Sequence, residues 1–175
     1  MEILIISISC YILGSIPFGF ILTKIFLKKD IRDIGSGNIG ATNALRTGNK
    51  FLGYGTLILD ILKAVIPIIY IKLNFIDLIY IASLSVFLGH VFPIWLKFNG
   101  GKGAATVLGS LVALSPMSIP YILTVWILLV VLSGYVGIST ILATLTLFIY
   151  SIVYLNINHQ IFSLLVFLFI LFTHS

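Results

Sequence analysis

Two short glycine-rich segments hold most of the residues in this sequence that could bind a charged ligand. The first runs from Gly35 to Arg46 and reads GSGNIGATNALR, with three glycines and one arginine. Glycine lets a backbone curl so that several N–H groups face one anion, and arginine adds two parallel donors that fit a phosphate group. The segment therefore indicates phosphate binding, and a polar loop without a ligand is the alternative interpretation.

The second segment runs from Phe98 to Thr106 and places Lys102 among three glycines. The apolar residues that follow predict a helix, and a helix N-terminus with free N–H groups beside a lysine attracts anions. The segment is not a P-loop, because Gly103 follows the lysine where a P-loop has serine or threonine. A glycine turn whose lysine only orients the chain is the alternative. Upstream, His90 is either a hydrogen-bonding strut or a base.

The overall composition shows what kind of protein must position these segments. Of 175 residues, 60% are hydrophobic and 9% are charged, and the mean hydropathy is +1.22. A soluble domain carries about 25% charged residues. The composition excludes a soluble enzyme, a disordered chain and, despite a net charge of +5, a nucleic-acid-binding protein. We expect an all-α, polytopic helical bundle in a membrane, forming a single domain over residues 1–175.

The apolar stretches predict about seven transmembrane helices. A polar stretch, Lys24 to Leu52, separates the first from the rest. The fourth and fifth stretches are short and meet at Ser115–Pro120, a run with two prolines that either turns the chain or only kinks it. A kink would reduce the number of spans to six. The predicted spans are 3–23, 54–71, 76–96, 104–115, 118–133, 138–155 and 160–173.

The basic residues predict the orientation of the bundle. Eight of the ten lie in the segments 24–52 and 97–103, which seven spans place on the same side of the membrane. Because cytoplasmic loops are enriched in Lys and Arg, both glycine-rich segments should be cytoplasmic. The N-terminus is then outside and, with seven spans, the C-terminus is cytoplasmic.

Polar and small residues within the predicted spans need a reason to be there. Asp60 and Lys63 are three residues apart on one helix face, so we expect a neutralising ion pair or a tether between helices. A direct role in the chemistry is the alternative. Gly14, Ser15 and Gly19 should allow close helix packing around Pro17, whose bend leaves carbonyl groups for neighbours to satisfy.

Several ordered strings resemble motifs of the bacterial acyl-phosphate:glycerol-3-phosphate acyltransferase family. The resemblance covers nearly the whole chain. It is carried by Gly14–Gly19, Ser36–Asn43 with Arg46, Leu59–Lys63, and Gly89-His90 through Gly100–Gly103.

The resemblance implies an integral enzyme with about seven spans in the bacterial inner membrane. The enzyme would transfer an acyl chain from acyl-phosphate to the 1-hydroxyl of glycerol-3-phosphate, giving lysophosphatidate and phosphate for phospholipid synthesis. Membrane lipid is a further partner, nucleic acid is not, and the sequence leaves a homodimer open. No metal and no cofactor is implied.

The resemblance also implies the site residues. The catalytic set is Ser36, Arg46, Lys102, His90 and His174, of which Ser36, Arg46 and Lys102 would bind substrate phosphates. The remaining substrate-binding residues are Gly37, Asn38, Thr42, Asn43, Gly100, Gly101, Gly103 and Ser139.

No carboxylate is available in either glycine-rich segment to act as a base. The acidic residues lie at positions 2, 30, 33, 60 and 77. The His-x4-Asp pattern of one large acyltransferase class is absent, since the fifth residue after His90 is Trp95. We therefore expect the phosphate of the donor to accept the hydroxyl proton, with Arg46 and Lys102 stabilising the developing charge.

The chain departs from the family pattern in two places. An Arg-Tyr-Val-Ser-like segment reads Gly134-Tyr135-Val136-Gly137 here, with Ser139 as the remaining serine. The family continues past a C-terminal histidine, whereas this sequence ends at Thr173-His174-Ser175. Two alternatives to the enzyme remain: a small membrane transporter, and an inactive homologue lacking the C-terminal motif.

Overall fold

The structure, a computed structural model, describes residues 1–174, and these form helices joined by turns with no strand among them. The chain divides into two compact units, Met1–Ser110 and Leu111–Ser175. The division falls within helix α6.

The first unit contains most of the turns and both glycine-rich segments. Its helices are α1 (Glu2–Gly14), α2 (Phe18–Leu27), α3 (Ala41–Leu45), α4 (Lys50–Asn74), α5 (Ile79–Val91) and the first part of α6 (Ala104–Leu114). Short 3-10 turns occur at Ile31–Asp33, Ile76–Leu78 and Ile94–Leu96.

The first predicted span is broken into two helices. The bend expected at Pro17 within the predicted span 3–23 is present, and it separates two helices: α1 ends at Gly14 and α2 begins at Phe18. Pro17 causes the break because it has no N–H to donate to the helix and its ring crowds the preceding turn. Residues 2–27 as a whole remain long and apolar enough to cross a membrane.

Small residues bring α1 and α5 into close contact, as predicted for Gly14. A Cβ at Gly14 would collide with the carbonyl of Val86, and a Cβ at Gly89 would collide with the carbonyl of Tyr11. The Tyr11 hydroxyl also donates to the carbonyl oxygen of Phe92 at 2.6 Å. Without side chains between them, the two backbones make the close packing that holds membrane helices together.

The second unit contains α7 (Ser118–Ser133), α8 (Val136–Tyr154) and α9 (Ile157–His174). The chain turns at residues 115–117, so α6 and α7 are separate helices and the two-proline run does not merely kink one helix. Trp126 Nε1 donates to Thr140 Oγ1 at 3.1 Å, which joins α7 to α8. The hydroxyls of Ser151 and Ser163 are 2.8 Å apart, which joins α8 to α9.

The distribution of polar and apolar side chains is the reverse of that in a soluble protein. Val131 and Leu132 are 77% and 81% exposed, while Thr56 and Ser139 are fully buried. Apolar side chains can face outward at low cost only when the solvent is lipid. Within residues 1–174, the segments long and apolar enough to span a membrane are Glu2–Leu27, Ile76–Leu96, Val136–Tyr154 and Ile157–His174.

The shorter apolar helices are α6 and α7. The structure therefore supports a multi-pass membrane protein, while the count of seven spans and their orientation stay predictions.

Candidate functional site

The first glycine-rich segment is organised by one buried side chain, Asn43. Its Oδ1 accepts a hydrogen bond from the backbone N–H of Ser36 at 2.9 Å. Its Nδ2 donates to the carbonyls of Ile31, Ile34 and Asn38 at 3.1, 2.8 and 2.8 Å. Asn43 is only 2% exposed. One amide therefore fixes the backbone on both sides of the bend, and the predicted binding residue Asn43 shapes the loop from inside.

The other predicted residues of this segment lie at the surface of the loop. Ser36, Gly37, Thr42 and Arg46 are exposed, and Asn38 is half-buried. Gly37 has φ = 71°, a left-handed conformation that suits glycine. The structure thus leaves the Ser36 hydroxyl and the Arg46 guanidinium at the solvent side of a backbone that Asn43 holds.

A second arginine, Arg32, stands near this loop but is engaged by a carboxylate. Its guanidinium makes an ion pair with Asp30, with 2.6 Å between Nη2 and Oδ2, and a second contact from Nε. These hydrogen bonds lower the pKa of Asp30 below its ordinary value. No such carboxylate contacts Arg46 within the described residues.

The second glycine-rich segment is fixed by close packing against the end of α5. The backbone N–H of Gly101 donates to the carbonyl of His90 at 3.0 Å. A Cβ at Gly100 would collide with the same carbonyl, and one at Gly101 would collide with the His90 imidazole. A Cβ at Gly103 would collide with the ring of Phe87. All three glycines are therefore required by space, since their neighbours lie where a side chain would be.

Lys102 follows these glycines and is half-buried just before α6 begins at Ala104. Within the described residues, no carboxylate lies within ion-pair distance of its ammonium group. Thr106 is fully buried and donates to the carbonyl of Gly103 at 2.8 Å, which secures the first turn of the helix. The lysine and the N–H groups of this helix end thus form a cationic site with no carboxylate partner among residues 1–174.

A hydrophobic cluster places the first segment beside the turn that leads into the second. It contains Ile39 and Ala44 from the first segment and Leu96 from the turn that leads into the second, together with Ile31 and Leu52. A Cβ at Gly19 would collide with the carbonyl of Ile39, so α2 packs directly on the first segment. The structure therefore packs the segment that carries Arg46 against the turn that precedes the segment carrying Lys102.

His90 is buried and contacts groups of three elements. It is 3% exposed, and its Nδ1 lies 3.7 Å from Asp60 Oδ1 on α4. Asp60 forms the predicted ion pair with Lys63, at 2.8 Å, and Lys63 Nζ donates to the carbonyl of Ile16 at 2.7 Å. Both interpretations of Asp60 and Lys63 are therefore confirmed together: the pair neutralises itself and ties α4 to the break between α1 and α2.

The remaining predicted site residues, Ser139 and His174, belong to the second unit. Ser139 is buried at the start of α8 and donates to the carbonyl of Tyr135 at 2.8 Å. The His174 ring ends α9, with Nδ1 2.8 Å from the carbonyl oxygen of Ile170. A Cβ at Gly137 would lie 3.2 Å from His174 Cδ2, so the histidine packs against the start of α8.

The sequence did not reveal which residues support the site. The packing of α4 and α5 decides that Phe87 contacts Gly103. It also decides that His90 lies between Asp60 and Gly101. The available signal for Asp60 was a carboxylate inside an apolar span, which is costly enough to need a purpose. Phe87 is one of 13 phenylalanines, and nothing in its local sequence distinguishes it.

The fold and the site define a multi-pass membrane protein that carries two cationic loops. A family model described as glycerol-3-phosphate acyltransferase matches residues 4–175. A glycerol-3-phosphate acyltransferase of Pelagibacter ubique (strain HTCC1062) is 59% identical over 175 residues, covering 99% of this chain and 91% of that protein.

Two solved structures of an integral membrane glycerol 3-phosphate acyltransferase are also similar, each 35% identical to this chain. The glycerol 3-phosphate form has a TM-score of 0.92 and covers 99% of this chain and 88% of its own. The lysophosphatidic acid form has a TM-score of 0.90 and covers 100% of this chain and 89% of its own. The chain belongs to the glycerol-3-phosphate acyltransferase family and is an acyltransferase.

Proposed function

We propose that this acyltransferase uses acyl-phosphate as its donor and acylates the 1-hydroxyl of glycerol-3-phosphate, releasing lysophosphatidate and phosphate. The observation that carries the proposal is that the loop with Arg46 shares a hydrophobic cluster with the turn that leads to Lys102. Donor and acceptor each carry a phosphate, and two cationic sites match two phosphates. The solved relatives, described in a glycerol 3-phosphate form and a lysophosphatidic acid form, support the acceptor and the product.

Arg46 and Lys102 supply the positive charge of the proposed site. Arg46 offers a planar fork of donors for phosphate oxygens, and Lys102 adds a point charge beside the N-terminus of α6. The Ser36 hydroxyl lies on the same loop as Arg46 and is a third phosphate ligand. Backbone groups of Gly37, Asn38, Gly100 and Gly101, with the side chain of Thr42, complete the set of substrate contacts.

Asn43, His90 and Gly103 have a supporting part in this proposal. Asn43 and His90 are 2% and 3% exposed, so they shape the loops instead of meeting the substrates at a surface. Ser139 and His174, which the resemblance also assigns to the site, lie in the second unit. The whole chain then acts as one catalytic domain in the bacterial inner membrane, with its site at the cytoplasmic face.

The reaction needs no protein base. The 1-hydroxyl oxygen attacks the acyl carbon, the bond between that carbon and the phosphate oxygen breaks, and the departing phosphate takes the hydroxyl proton. Acyl-phosphate already contains a good leaving group, and neither glycine-rich segment contains a carboxylate. Arg46 and Lys102 stabilise the charge that gathers on the phosphate as the bond breaks, which is where fixed positive charge accelerates a reaction most.

The test uses the purified full chain in lipid nanodiscs, supplied with acyl-phosphate and glycerol-3-phosphate. Lysophosphatidate and phosphate are measured as they form. We expect Arg46→Ala and Lys102→Ala each to lower kcat/KM by about 100-fold, the usual cost of removing one charge-stabilising donor. Matched controls are Arg32→Ala, at an arginine paired with Asp30, and Lys72→Ala, at an exposed lysine of α4. Both controls should stay within twofold of the unsubstituted enzyme.

Two results would contradict the proposal. Near-normal turnover in both Arg46→Ala and Lys102→Ala would show that the assignment of these two residues to the substrate site is wrong. Lysophosphatidate formed from acyl-coenzyme A but not from acyl-phosphate would remove the assigned donor, while leaving the glycerol-3-phosphate acyltransferase activity intact.

A further inference from the structure

We propose that the buried Asp60–Lys63 pair is a positioning device for the turn Gly100–Lys102, and that it acts through His90. This inference rests on the proposed function and extends it. It gives a role to Asp60 and Lys63, two charged residues that are not among the proposed substrate-binding residues.

The pair lies where charge is costly. Both side chains are 3% exposed, and their charged atoms are 2.8 Å apart. A buried ion pair is weak evidence for stability, because apolar residues of similar volume commonly stabilise a protein as well or better. Charged groups within membrane helices instead mark functional positions. Stability alone therefore does not account for Asp60 and Lys63.

Lys63 fixes one end of the arrangement. Its Nζ donates to the carbonyl of Ile16 at 2.7 Å, and it lies 5.8 Å from the centre of the Phe18 ring. Both residues flank Pro17, where the backbone leaves α1 and enters α2. The ammonium group is thus held by a carbonyl, a ring and a carboxylate, and its partner Asp60 has a fixed place on α4.

Asp60 faces His90 at the other end. Its Oδ1 is 3.7 Å from His90 Nδ1, which is beyond hydrogen-bond length, and within the described residues that ring nitrogen has no hydrogen-bond partner. Site hydrogen bonds that are long without substrate commonly tighten when it binds. Asp60 is therefore placed to orient the His90 ring.

His90 passes this orientation to the turn. Its carbonyl accepts the Gly101 N–H at 3.0 Å, and its ring occupies the place of a Gly101 side chain. Gly101 immediately precedes Lys102. A His90 ring that is free to turn would let the Gly101 backbone shift, and the lysine would lose its fixed place. The line of contacts thus runs from Ile16 through Lys63, Asp60 and His90 to the turn.

A double-substitution cycle tests this line of contacts. The full chain in nanodiscs carries Asp60→Asn, Lys102→Ala, or both, and kcat/KM is measured for glycerol-3-phosphate and acyl-phosphate. We expect Asp60→Asn to lower kcat/KM at least tenfold when Lys102 is present, but less than twofold when Lys102 is already alanine. Coupled residues give such non-additive effects, whereas independent ones give the same factor in both backgrounds. An equal factor would overturn the inference.

The failure of the proposed function would look different. If Lys102→Ala alone left kcat/KM unchanged, the assigned phosphate site would be wrong, whatever Asp60→Asn did. If Lys102→Ala lowered kcat/KM but Asp60→Asn left it within twofold of normal, the site would stand and the positioning role would fall.

A second variant covers the case in which an unpaired Lys63 prevents folding. Asp60→Asn combined with Lys63→Met removes both charges and leaves none buried alone. We expect the unfolding temperature of this protein to lie within a few degrees of that of the unsubstituted enzyme, while kcat/KM falls at least fivefold. The single substitution Asp60→Glu should cause a smaller loss of kcat/KM, because it retains the carboxylate. Full activity of the doubly neutral protein would overturn the inference. Lys72→Met, on the exposed face of the same helix, is the matched control.

Discussion

The two glycine-rich segments of the first unit each present a cationic side chain, but different interactions fix their backbones. In the segment that carries Arg46, a buried amide, Asn43, holds the backbone through four hydrogen bonds. In the segment that carries Lys102, glycines lie so close to His90 and Phe87 that no side chain fits. The first loop is shaped by a polar side chain beneath an exposed backbone. The second is shaped by packing at the end of a helix.

This difference predicts how each loop tolerates substitution. A hydrogen-bonded loop that loses its central amide has solvent nearby to satisfy its backbone groups. A packed turn cannot compensate in this way, because a neighbouring carbonyl or ring must move to make room for one added methyl group. We therefore expect the packed turn to be the more sensitive of the two.

The largest effect should follow Gly100→Ala. The new Cβ would collide with the carbonyl of His90 and lie against that of Val91, and backbone atoms cannot turn away as a side chain can. We expect kcat/KM for acyl transfer to fall by more than about 100-fold, since small misplacements of a binding group cost that much. The comparison is Gly48→Ala, at an exposed glycine with φ = 82° and open space around it.

The Gly48 substitution should cost about 1 kcal/mol of stability through backbone strain and leave kcat/KM within twofold. Equal losses of activity in Gly48→Ala and Gly100→Ala would show that packing does not set the second loop. Thermal unfolding measured beside the kinetics separates misfolded protein from a misplaced lysine.

An intermediate effect should follow Asn43→Ala. The substitution leaves three carbonyls and one N–H without their partner, and we expect a loss of about 2–4 kcal/mol in the free energy of unfolding, reduced where water replaces the amide. We also expect kcat/KM to fall by roughly 10-fold to 100-fold, as a preorganised site loses its geometry. Asn49 is the matched asparagine, since it only caps α4 by accepting from the Phe51 N–H at 3.0 Å.

Asn49→Ala should cost about 1 kcal/mol, the usual value of an N-cap, without changing kcat/KM. If Asn43→Ala and Asn49→Ala reduced activity to the same extent, the claim that the buried Asn43 side chain holds the first loop in shape would be wrong. A larger loss in Asn43→Ala than in Gly100→Ala would reverse the order of sensitivity that we draw from the two loops.

The smallest effect should follow Asp30→Asn, beside the first loop. The side-chain hydrogen bond from Arg32 lowers the pKa of the Asp30 carboxyl below its ordinary value in the folded protein. The ionised carboxylate therefore adds stability above the unfolded pKa, and that stability is lost as the pH falls through the folded pKa. The pair is partly exposed, so we expect a difference of at most about 1 kcal/mol near pH 6, vanishing below the folded pKa.

Unfolding temperatures of the normal and Asp30→Asn proteins at pH 6 and at successively lower pH would measure this difference. A gap that widened on acidification would contradict the sign of the shift. A change of more than twofold in kcat/KM near neutral pH would mean that Arg32 contributes to the site, because substitution of its partner would have released it.

The apolar pattern of the sequence is sufficient to predict the ends of some helices but not of others. Residues 118–133 form α7 within the predicted bounds, because Pro120 and the glycine at 134 mark its ends in the sequence itself. The first span was predicted to bend at Pro17, and the structure divides it there into two helices, since a proline within an apolar run can kink a helix or end it. Which of the two occurs depends on a neighbour, here the ammonium group of Lys63 at the Ile16 carbonyl.

The sequence by itself determined the solvent of this protein, the scarcity of its charges and the two segments with the chemistry to bind phosphate. These follow from residue types and near-neighbour spacing, which are local properties. The tertiary structure alone decided that Ile39 and Leu96 share a cluster, and that Asp60 stands beside His90 and not beside a cation of another helix. Such contacts join residues tens of positions apart, and the packing of α4 against α5, for example, brings Asp60 within reach of His90.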